Sequence, residues 1–317
     1  MGNHFIYAFS GLLISLNFNY HKMTIQLQYT RIIRSLLICY LIFSGISAFA
    51  QGSDIFKVMT WNIRMDTPDD GINRWDNRKV ELCKEIQHQK PALLGVQEAL
   101  FGQMKDMRRY LRSYKSIGVG REDGKKSGEF SAVFYDRKIL KPIKSGTFWL
   151  SETPDVPGSK GWDAACNRIV TWAEFKTRSS GKHFILLNTH FDHVGEEARV
   201  QSALLIIKKL GELAGKLPII LSGDLNVTSK SRTYRILTFS ENEYTLSDSR
   251  KRARAAISGP DFSFVGFDPA FQPTELIDYI LVTWDIQVIS NEIYDFRKDG
   301  KYLSDHLPVI AVLELKQ

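Results

Sequence analysis

The strongest constraint on the fold is a short apolar run that ends in a glycine, a carboxylate and an amide. Residues 218–226 read Pro-Ile-Ile-Leu-Ser-Gly-Asp-Leu-Asn. Such a run predicts a buried central strand, and Gly223 allows the chain to turn sharply because it has no Cβ. Asp224 and Asn226 would then project from the carboxyl end of the strand, where α/β folds tend to place their sites. An Asx turn that only closes the strand explains a single Gly-Asp-x-Asn equally well.

The same arrangement recurs along the chain, because polar side chains repeatedly follow or open an apolar strand. These side chains are Asn62, Glu98, His190, Asp224, Asn226, Asp278, Asp305 and His306. If the strands are neighbours, the eight residues gather at one edge of the fold. Each one alone has an ordinary structural explanation, whereas eight such coincidences do not. The pattern therefore predicts a shared site.

Strands and helices alternate in both halves of the chain, around a β-rich middle from Tyr114 to Phe175. Helical patterns cover 76–89, 101–110, 196–214 and 229–237, and the first of these would be capped by Asp76 and bury Val80, Cys83 and Ile86. Apolar strands are predicted on both sides of each long helix. The pattern favours two β-sheets packed face to face with helices outside.

The first fifty residues differ in composition from the rest. They contain Lys22, Arg31 and Arg34 but no acidic residue, and an apolar stretch from 36 to 49 ends in Ala-Phe-Ala. This order is typical of a secretory signal peptide, and the stretch is shorter than the roughly 20 residues that a membrane span needs. We therefore expect cleavage near Ala50-Gln51, a secreted or periplasmic protein, a single domain over 51–317, and a true start that could be Met23.

The charge and cysteine content restrict the function further. Removing the three basic residues of the leader lowers the formal net charge from +7 to +4, which suits an anionic substrate but not a protein that coats nucleic acid. The mature chain keeps two cysteines, Cys83 and Cys166. They could pair in an exported protein, but two cysteines form neither a disulfide framework nor a metal site, so buried, inert thiols are expected.

The chemistry of the eight residues indicates a reaction. Carboxylates and amides without cysteine are ligands for hard cations, so Mg²⁺ is favoured, with Mn²⁺ or Ca²⁺ as alternatives. Two histidines beside spare carboxylates predict His–carboxylate pairs, which raise the imidazole pKa and fix the tautomer. A hard cation, an oriented base and a polarised histidine are what the hydrolysis of a phosphate ester requires.

Seven ordered motifs between about Ile55 and Leu315 resemble those of the endonuclease/exonuclease/phosphatase superfamily, in an exported, bacterial-type member. They read Thr-Trp-Asn-Ile-Arg at 60–64, Val-Gln-Glu at 96–98, Gly-Glu-Phe-Ser at 128–131, Asn-Thr-His at 188–190, Gly-Asp-Leu-Asn at 223–226, Ile-Asp-Tyr at 277–279 and Ser-Asp-His-Leu-Pro at 304–308. The resemblance implies a four-layer α/β sandwich of the DNase I type, with two packed mixed sheets flanked by helices.

The resemblance also implies residue roles on the metal and water side of the site. Glu98 would bind the divalent cation, helped by Asn62 and Asp305. Asp224 would orient or deprotonate the attacking water, and Asn226 would hold the phosphate.

On the opposite side, the resemblance implies that His306, paired with Asp278, contacts the phosphoryl oxygens or acts as the acid–base residue. His190 would be the second histidine, in contact with the phosphate, and Glu129 would be its carboxylate partner. Arg168 occupies a position where relatives often carry an arginine that contacts the phosphate.

Two segments fall outside these motifs. Asp192 and His193 are interpreted as residues of a loop or of the substrate rim. The segment Arg-Trp-Asp-Asn-Arg at 74–78 is distinctive, but the sequence suggests no role for it beyond helix capping and a rim contact.

The favoured function is therefore a divalent-metal-dependent phosphodiesterase, nuclease-like, that acts outside the cytoplasm. The alternatives are a phosphomonoesterase on inositol or sugar phosphates, a phospholipase C-type enzyme on sphingomyelin, and a catalytically silent binding module on the same fold. The substrate, whether nucleic acid, phospholipid headgroup or sugar phosphate, is the only partner expected, and we expect a monomer. A basic cluster at 250–254 could follow a nucleic acid, but such a cluster is usually a solvated loop.

Overall fold

Two stacked β-sheets organise the protein in the computed structural model, which describes residues 54–239, 244–267 and 270–316. The first sheet contains seven strands in this part of the chain: β1 (Ile55–Asn62), β2 (Leu93–Ala99), β3 (Tyr114–Ile117), β4 (Phe130–Asp136), β10 (Ala256–Ser258), β12 (Ile286–Ile293) and β15 (Val309–Leu315). Their order is β10-β12-β15-β1-β2-β4-β3. The predicted signal region and its cleavage site lie outside the described residues.

The second sheet contains six strands within the same described ranges. They are β5 (Leu140–Trp149), β6 (Ile169–Thr177), β7 (His183–His190), β8 (Ile219–Asp224), β9 (Ser247–Asp248) and β11 (Asp278–Val282). Their order is β5-β6-β7-β8-β11-β9. A small hairpin of β13 (Arg297–Lys298) and β14 (Lys301–Tyr302) stands apart from both sheets.

Helices cover the outer faces of the two sheets. They are α1 (Trp75–Gln89), α2 (Phe101–Tyr110), α3 (Glu196–Leu213), α4 (Arg232–Thr238) and α5 (Ser249–Arg252), and a 3₁₀ segment spans Pro68–Asn73. One apolar cluster fills the space between the sheets, a second joins the second sheet to α3 and α4, and a third joins the first sheet to α1 and α2. The layers therefore run helix, sheet, sheet, helix, which confirms the predicted four-layer sandwich.

Strand direction explains why the polar side chains meet. In each sheet two central strands are parallel, β1 with β2 and β7 with β8, so their carboxyl ends lie at the same edge. Four neighbours, β4, β6, β11 and β15, run antiparallel to these strands and therefore begin at that edge. The residues at the carboxyl ends of the parallel strands therefore lie close to the residues that open the antiparallel strands.

Close packing at this edge depends on glycine. Gly223 has φ +149°, and a Cβ there would lie 2.1 Å from the carbonyl oxygen of Thr189 on the neighbouring strand. Gly95 on β2 faces the other sheet, where a Cβ would lie 2.4 Å from Oδ1 of Asn188. Both positions exclude a side chain. Glycine at position 95 allows the two sheets to approach each other beneath the site, and glycine at position 223 allows β8 to lie close to β7 within the second sheet.

Several local predictions differ from the structure. α1 begins at Trp75 with Arg74 before it, so Asp76 lies in the first turn and does not cap the helix. Its inner face is formed by Leu82, Cys83 and Ile86, while Val80 is exposed. Periodicity identifies the helix but leaves its rotation about its axis undetermined, because an isolated valine fits either face.

No helix within the described ranges is long and apolar enough to cross a membrane.

Candidate active site

The predicted site residues converge on one cavity of about 530 Å³ at the common edge of the two sheets. Its lining consists of Arg64, Met65, Glu98, Arg121, Glu129, Cys166, Arg168, His190, His193, Asp224, Asn226, Phe264, Ile277, Asp305 and His306. Asn62 and Asp278 are fully buried behind this surface. The structure therefore brings together all the residues that the sequence analysis selected.

Asp224 lies at the centre of the arrangement. Its Oδ2 accepts a hydrogen bond from Asn62 Nδ2 at 3.0 Å, and its Oδ1 accepts one from the backbone N–H of Asn226 at 2.9 Å. The Nε2 atoms of His190 and His306 lie 3.5 and 3.7 Å from the same Oδ2. Burial and the neighbouring carboxylate of Asp278 raise the pKa of Asp224, which brings the group closer to the range in which a carboxylate acts as a base.

His306 is held as a cation by its carboxylate neighbours. Its Nδ1 lies 2.8 Å from Oδ2 of Asp278, and Ser263 Oγ donates to the same oxygen at 2.7 Å. Burial alone would lower the pKa of His306, but the carboxylates of Asp278 and Asp224 raise it well above its usual value. The ring of Phe264 packs edge-on against the imidazole, at 5.0 Å between centroids. The sequence-based pairing of His306 with Asp278 is present.

The pKa of His190 is shifted in the opposite direction. Its Nε2 lies 3.0 Å from Nδ2 of Asn226, and its Nδ1 has no hydrogen-bond partner among the described residues. Burial, then Arg168 and His306, lower the pKa of His190 well below its usual value. The imidazole is therefore neutral at pH 7.

The predicted pairing of Glu129 with His190 is wrong. Glu129 Oε2 instead accepts a hydrogen bond from Arg121 Nη1 at 2.7 Å. Burial raises the pKa of Glu129, an effect that Arg121 opposes. A buried carboxylate is stabilised more by a guanidinium than by a neutral imidazole, which accounts for its choice of partner.

The cation side of the site contains Glu98 and Asp305. Glu98 Oε1 accepts from Asn62 Nδ2 at 2.9 Å, and its Oε2 accepts from the backbone N–H of Met65 at 3.1 Å. Asn62 thus presents its amide nitrogen to the carboxylates, while its oxygen accepts from the Arg64 N–H at 3.1 Å. In this arrangement the Asn62 amide nitrogen orients the Glu98 carboxylate, and the predicted role of Asn62 as a cation ligand stays a prediction.

Three residues of this region adopt left-handed backbone conformations, with φ +62° at Glu98, +56° at Arg64 and +49° at Asn226. Such conformations are unfavourable for residues with a Cβ and cluster at functional sites. At Glu98 the pairing of β2 with β4 also changes register between Val96 and Ala99. A bulge of this kind redirects a side chain, and here the redirected side chain is that of Glu98, which lines the cavity.

Asp192, interpreted from the sequence as a loop or rim residue, lies in the loop after β7 but is buried, while its neighbour His193 lines the cavity. Asp192 is 1% exposed and accepts hydrogen bonds from four backbone N–H groups, those of Ala165, Cys166, Val194 and Gly195. Its Oδ2 also lies 3.4 Å from Nε of Arg168. Burial would raise the pKa of Asp192, but these donors hold it well below its usual value. Asp192 thus ties the loop before β6 to the end of β7 and orients Arg168 toward the cavity.

The two cysteines do not form a disulfide. Cys83 is buried, in agreement with the prediction, whereas Cys166 is half-buried and lines the cavity. The expectation of two buried, inert thiols is therefore wrong for Cys166, because the loop held by Asp192 places this residue at the site.

Comparison with known proteins identifies the family. A model of the endonuclease/exonuclease/phosphatase family matches residues 59–306. The chain belongs to this family. A family member from Bacteroides vulgatus is 44% identical, over 83% of this chain and 99% of that protein, with a TM-score of 0.79. A mannosyl-6-phosphatase from Bacteroides thetaiotaomicron is 36% identical, over 81% of this chain and 99% of that protein, with a TM-score of 0.76.

The catalytic domain of human nocturnin is also similar in fold, with a TM-score of 0.64 at 19% identity over 82% of this chain and 93% of that domain. At that identity the likeness concerns the fold alone. Members of the endonuclease/exonuclease/phosphatase family are phosphoric ester hydrolases, and this chain is an enzyme of that class.

The family is generally dependent on divalent metals, and the donors of the cavity fit such a cation. The guanidinium of Arg64 lies 3.9 Å from Glu98 Oε2 and 3.8 Å from Asp305 Oδ2, so both carboxylates already converge on one positive charge. Burial and the proximity of Glu98 raise the pKa of Asp305, which a bound cation would reverse. Oxygen donors without sulfur suit Mg²⁺ or Mn²⁺.

A second cluster in the described part of the chain, Asp224, Asp278 and His306, has ligand atoms within 4.8 Å of one another. In this cluster Asp278 is already hydrogen-bonded to His306 and Ser263, so Glu98 and Asp305 are the better candidates to hold a cation.

Some functional residues could not be found from sequence motifs. Arg64 lies within the first motif, but the contacts of its side chain with two carboxylates depend on the fold. Arg121 and Ser263 come from loops whose partners are distant in sequence. The only available signal for Asp192 was its position two residues after His190, at the end of a predicted strand.

Proposed function

We propose that this enzyme hydrolyses a sugar phosphate monoester in a reaction that requires a divalent cation, with Asp224 as the base that accepts a proton from the attacking water. The observation that carries this proposal is the position of Asp224 between a neutral and a cationic histidine, with Asn62 joining it to Glu98.

Asp224 suits the role of general base because its pKa is raised and its orientation is fixed. A base is most effective when its pKa lies near the working pH. The Asn62 amide and the Asn226 backbone N–H together hold both carboxylate oxygens. Only small adjustments would then be needed to place an oxygen against a water molecule above the phosphorus.

His306 and His190 have different roles in the proposed reaction. Cationic His306 stabilises negative charge on the phosphoryl oxygens and can give its Nε2 proton to a departing oxygen, while Asp278 holds Nδ1. Neutral His190 and the side chain of Asn226 form a hydrogen-bonding pair on the other side of Asp224. Arg168 and Arg121 add positive charge to the cavity wall.

A divalent cation bound by Glu98 and Asp305 supplies neutralisation of the charge that develops on the phosphate ester. The chain's own contribution is the convergence of these two carboxylates on one position. The Asn62 amide and the Met65 N–H orient the carboxylate of Glu98. Mg²⁺ and Mn²⁺ are the proposed ions.

Two observations support a sugar monoester over the diester that the sequence analysis favoured. The relative named as a mannosyl-6-phosphatase is 36% identical over nearly its full length, whereas nocturnin shares only the fold. The cavity also contains four cationic groups, Arg64, Arg121, Arg168 and His306, beside the four carboxylates of Glu98, Glu129, Asp224 and Asp305. A bound divalent cation would leave this lining net positive, and a monoester carries a charge of about −1.5 to −2 at pH 7.

The test is a substrate panel for the purified enzyme with Mg²⁺ or Mn²⁺. It compares mannose 6-phosphate and glucose 6-phosphate with bis(p-nitrophenyl) phosphate, inositol phosphates, sphingomyelin, DNA and RNA. We expect kcat/KM for a hexose phosphate to exceed that for the diesters by at least about tenfold, with loss of activity in excess chelator. A higher value for any diester would return the assignment to a phosphodiesterase, and turnover that survives chelation would contradict the metal requirement.

We also propose that the enzyme is exported. Support comes from the basic, then apolar, then small-residue order of the first fifty residues. N-terminal sequencing of the protein recovered from the producing cells would test this, and we expect a start near Gln51 in a fraction outside the cytoplasm. A cytoplasmic protein that retains residue 23 onward would contradict export.

A further inference from the structure

Arg78, the last residue of the segment 74–78, is a buried cation that contacts carbonyl groups. Its exposed fraction is 4%. Its guanidinium donates to the backbone oxygens of Ile63 at 2.9 Å, Leu303 at 2.6 Å and Arg64 at 3.3 Å, and also to that of Asn73. Among the described residues, none of its hydrogen bonds goes to a carboxylate.

These carbonyl groups belong to the two segments that carry the cation side of the cavity. Ile63 and Arg64 directly follow Asn62, and Leu303 lies two residues before Asp305. The ladder between β1 and β15 ends at the pair Thr60 and Val309, so beyond that pair the two segments are no longer held by strand pairing.

Beyond the end of this ladder, hydrogen bonds from side chains connect the two segments. Ser304 Oγ donates to the carbonyl of Asn62 at 2.7 Å, and Trp61 Nε1 donates to the carbonyl of His306 at 2.9 Å. Arg78 adds a further link, because it donates to the carbonyls of Ile63 and Arg64 in the segment after Asn62 and to that of Leu303 in the segment before Asp305. A planar guanidinium with five N–H donors is suited to hold several acceptors at fixed separations.

The environment keeps the guanidinium in one orientation. It lies 5.3 Å from the ring centroid of Phe267 and 5.7 Å from that of Trp75. Burial lowers the pKa of Arg78 to about 10, a loss that the charges of Asp305 and Asp70 partly offset. The group is therefore still charged at pH 7.

We propose that Arg78 is a positioning residue for the divalent-cation site: it fixes the distance between the segment that follows Asn62 and the segment that carries Asp305, and thereby sets the affinity for the cation. The inference rests on the proposed metal dependence. It gives the segment 74–78 a role that the sequence did not reveal.

The matched test pair is Arg78→Lys and Arg74→Lys, because both arginines belong to the same segment. Lysine retains the charge but has one ammonium group in place of the three nitrogens with which Arg78 contacts four carbonyls, so it cannot hold all four at their present separations. Arg74 is half-exposed and pairs with Asp66, away from the cavity. The readout is Mn²⁺ binding to the free protein, followed by electron paramagnetic resonance, with activity and melting temperature measured in parallel.

We expect Arg78→Lys to raise the Mn²⁺ dissociation constant at least about tenfold, and the lost activity to return to within about threefold of wild type at saturating Mn²⁺. Arg74→Lys should bind Mn²⁺ like the wild type. A purely structural role would lower the melting temperature and the activity without rescue by metal. Unchanged Mn²⁺ affinity in Arg78→Lys would overturn the inference.

A milder variant covers the case in which Arg78→Lys does not fold. Phe267→Leu retains the arginine but removes one ring from beside its guanidinium, and should raise the Mn²⁺ dissociation constant by about threefold; unchanged affinity would contradict the inference.

The Mn²⁺ affinity of the wild-type protein is measured first. Failure of the wild type to bind Mn²⁺ would refute the proposed metal dependence and this inference together, whereas normal binding in all variants would refute this inference alone.

Discussion

His190 and His306 approach the same oxygen of Asp224, at 3.5 and 3.7 Å, yet their pKa values are shifted in opposite directions, downward for His190 and upward for His306. The difference arises from the surroundings of Nδ1, which in each histidine is the ring nitrogen that does not approach Asp224. Nδ1 of His306 faces the Asp278 carboxylate, while Nδ1 of His190 has no partner among the described residues and the ring lies near Arg168. One histidine can therefore stabilise anionic oxygens, and the other can serve as a neutral hydrogen-bonding group.

Asp278→Asn should shift the alkaline limb of the pH–rate profile to lower pH. The carboxylate raises the pKa of His306, so its removal allows the imidazole to lose its proton earlier as pH rises. We also expect kcat to fall by about 10²-fold or more. Ser263→Ala keeps the Asp278 carboxylate but removes the hydroxyl that donates to it and that accepts from the Ile277 and Asp278 N–H groups; it is the control and should give a smaller shift. An unchanged alkaline limb in Asp278→Asn would show that His306 does not act as a cation.

Asp224→Asn should abolish most of the activity without unfolding the protein. We expect kcat to fall by about 10³-fold or more, as is typical when an acting base is removed. Because burial raises the pKa of Asp224, the ionised carboxylate is unfavourable in the folded state, and the melting temperature of the variant at pH 7 should stay within a few degrees of wild type. Differential scanning calorimetry and steady-state kinetics measure the two effects. A variant that melts far lower but retains its turnover would mark Asp224 as a structural residue.

Glu98→Gln should weaken the response to metal more than any exposed carboxylate variant. The half-saturating Mn²⁺ concentration in activity assays should rise by about 10- to 100-fold, because a charged oxygen ligand is lost. Glu81→Gln on α1, whose carboxylate pairs with Lys84 at the surface, is the control and should titrate like the wild type. Equal titration curves for Glu98→Gln and the wild type would exclude the proposed cation position.

Asp192→Asn should destabilise the enzyme at neutral pH but much less in acid. The folded state lowers the pKa of Asp192, so its contribution is present above about pH 4, the usual value for Asp, and is lost as pH falls through the lower folded value. The expected loss at pH 7 is about 2–4 kcal/mol, since a buried acceptor of several N–H groups is altered.

Urea denaturation between pH 3 and pH 8 measures the effect of the Asp192 variant. Asp123→Asn is the matched control, because Asp123 also accepts from three backbone N–H groups, those of Lys125, Lys126 and Ser127, but lies exposed. It should cost clearly less. A pH-independent loss in Asp192→Asn would mean that packing, and not the charge, matters at this position.

Iodoacetamide should modify Cys166 and spare Cys83. Burial raises the pKa of the Cys83 thiol to about 12, so its reactive thiolate is scarce, whereas Cys166 lines the cavity. Alkylation should inactivate the enzyme by obstructing the cavity, inorganic phosphate should slow the reaction, and Cys166→Ser should be insensitive. Mass spectrometry identifies the modified residue, and label on Cys83 alone would refute the prediction.

Much of the site could be predicted because strand ends are visible in the sequence. Asn62, His190 and Asp224 each end an apolar run, and the parallel pairing of those strands places them at one edge. What the sequence could not supply was the choice among competing partners. Glu129 was predicted to pair with His190, but it binds Arg121. Nothing in the local sequence shows whether the carboxylate will pair with an arginine in a loop or with a histidine at the end of a strand.

The burial of loop residues could not be predicted from the sequence either. Asp192 resembled a rim residue because it follows a strand, yet two of its donors lie 26 and 27 positions away in another loop. The predicted inner face of α1 was wrong at one position for a similar reason, because Val80 was expected to be buried but is 38% exposed. Such details depend on which surfaces the neighbouring elements leave uncovered.

The cavity takes residues from both sheets: Asn62, Glu98 and His306 adjoin strands of the first, and His190 and Asp224 end strands of the second. Neither half of the sandwich carries a complete set of reacting groups. Catalytic activity therefore requires that the two sheets have packed against each other correctly. An intermediate with both sheets formed but still apart would be chemically inert, which delays the appearance of activity until the last interface has closed.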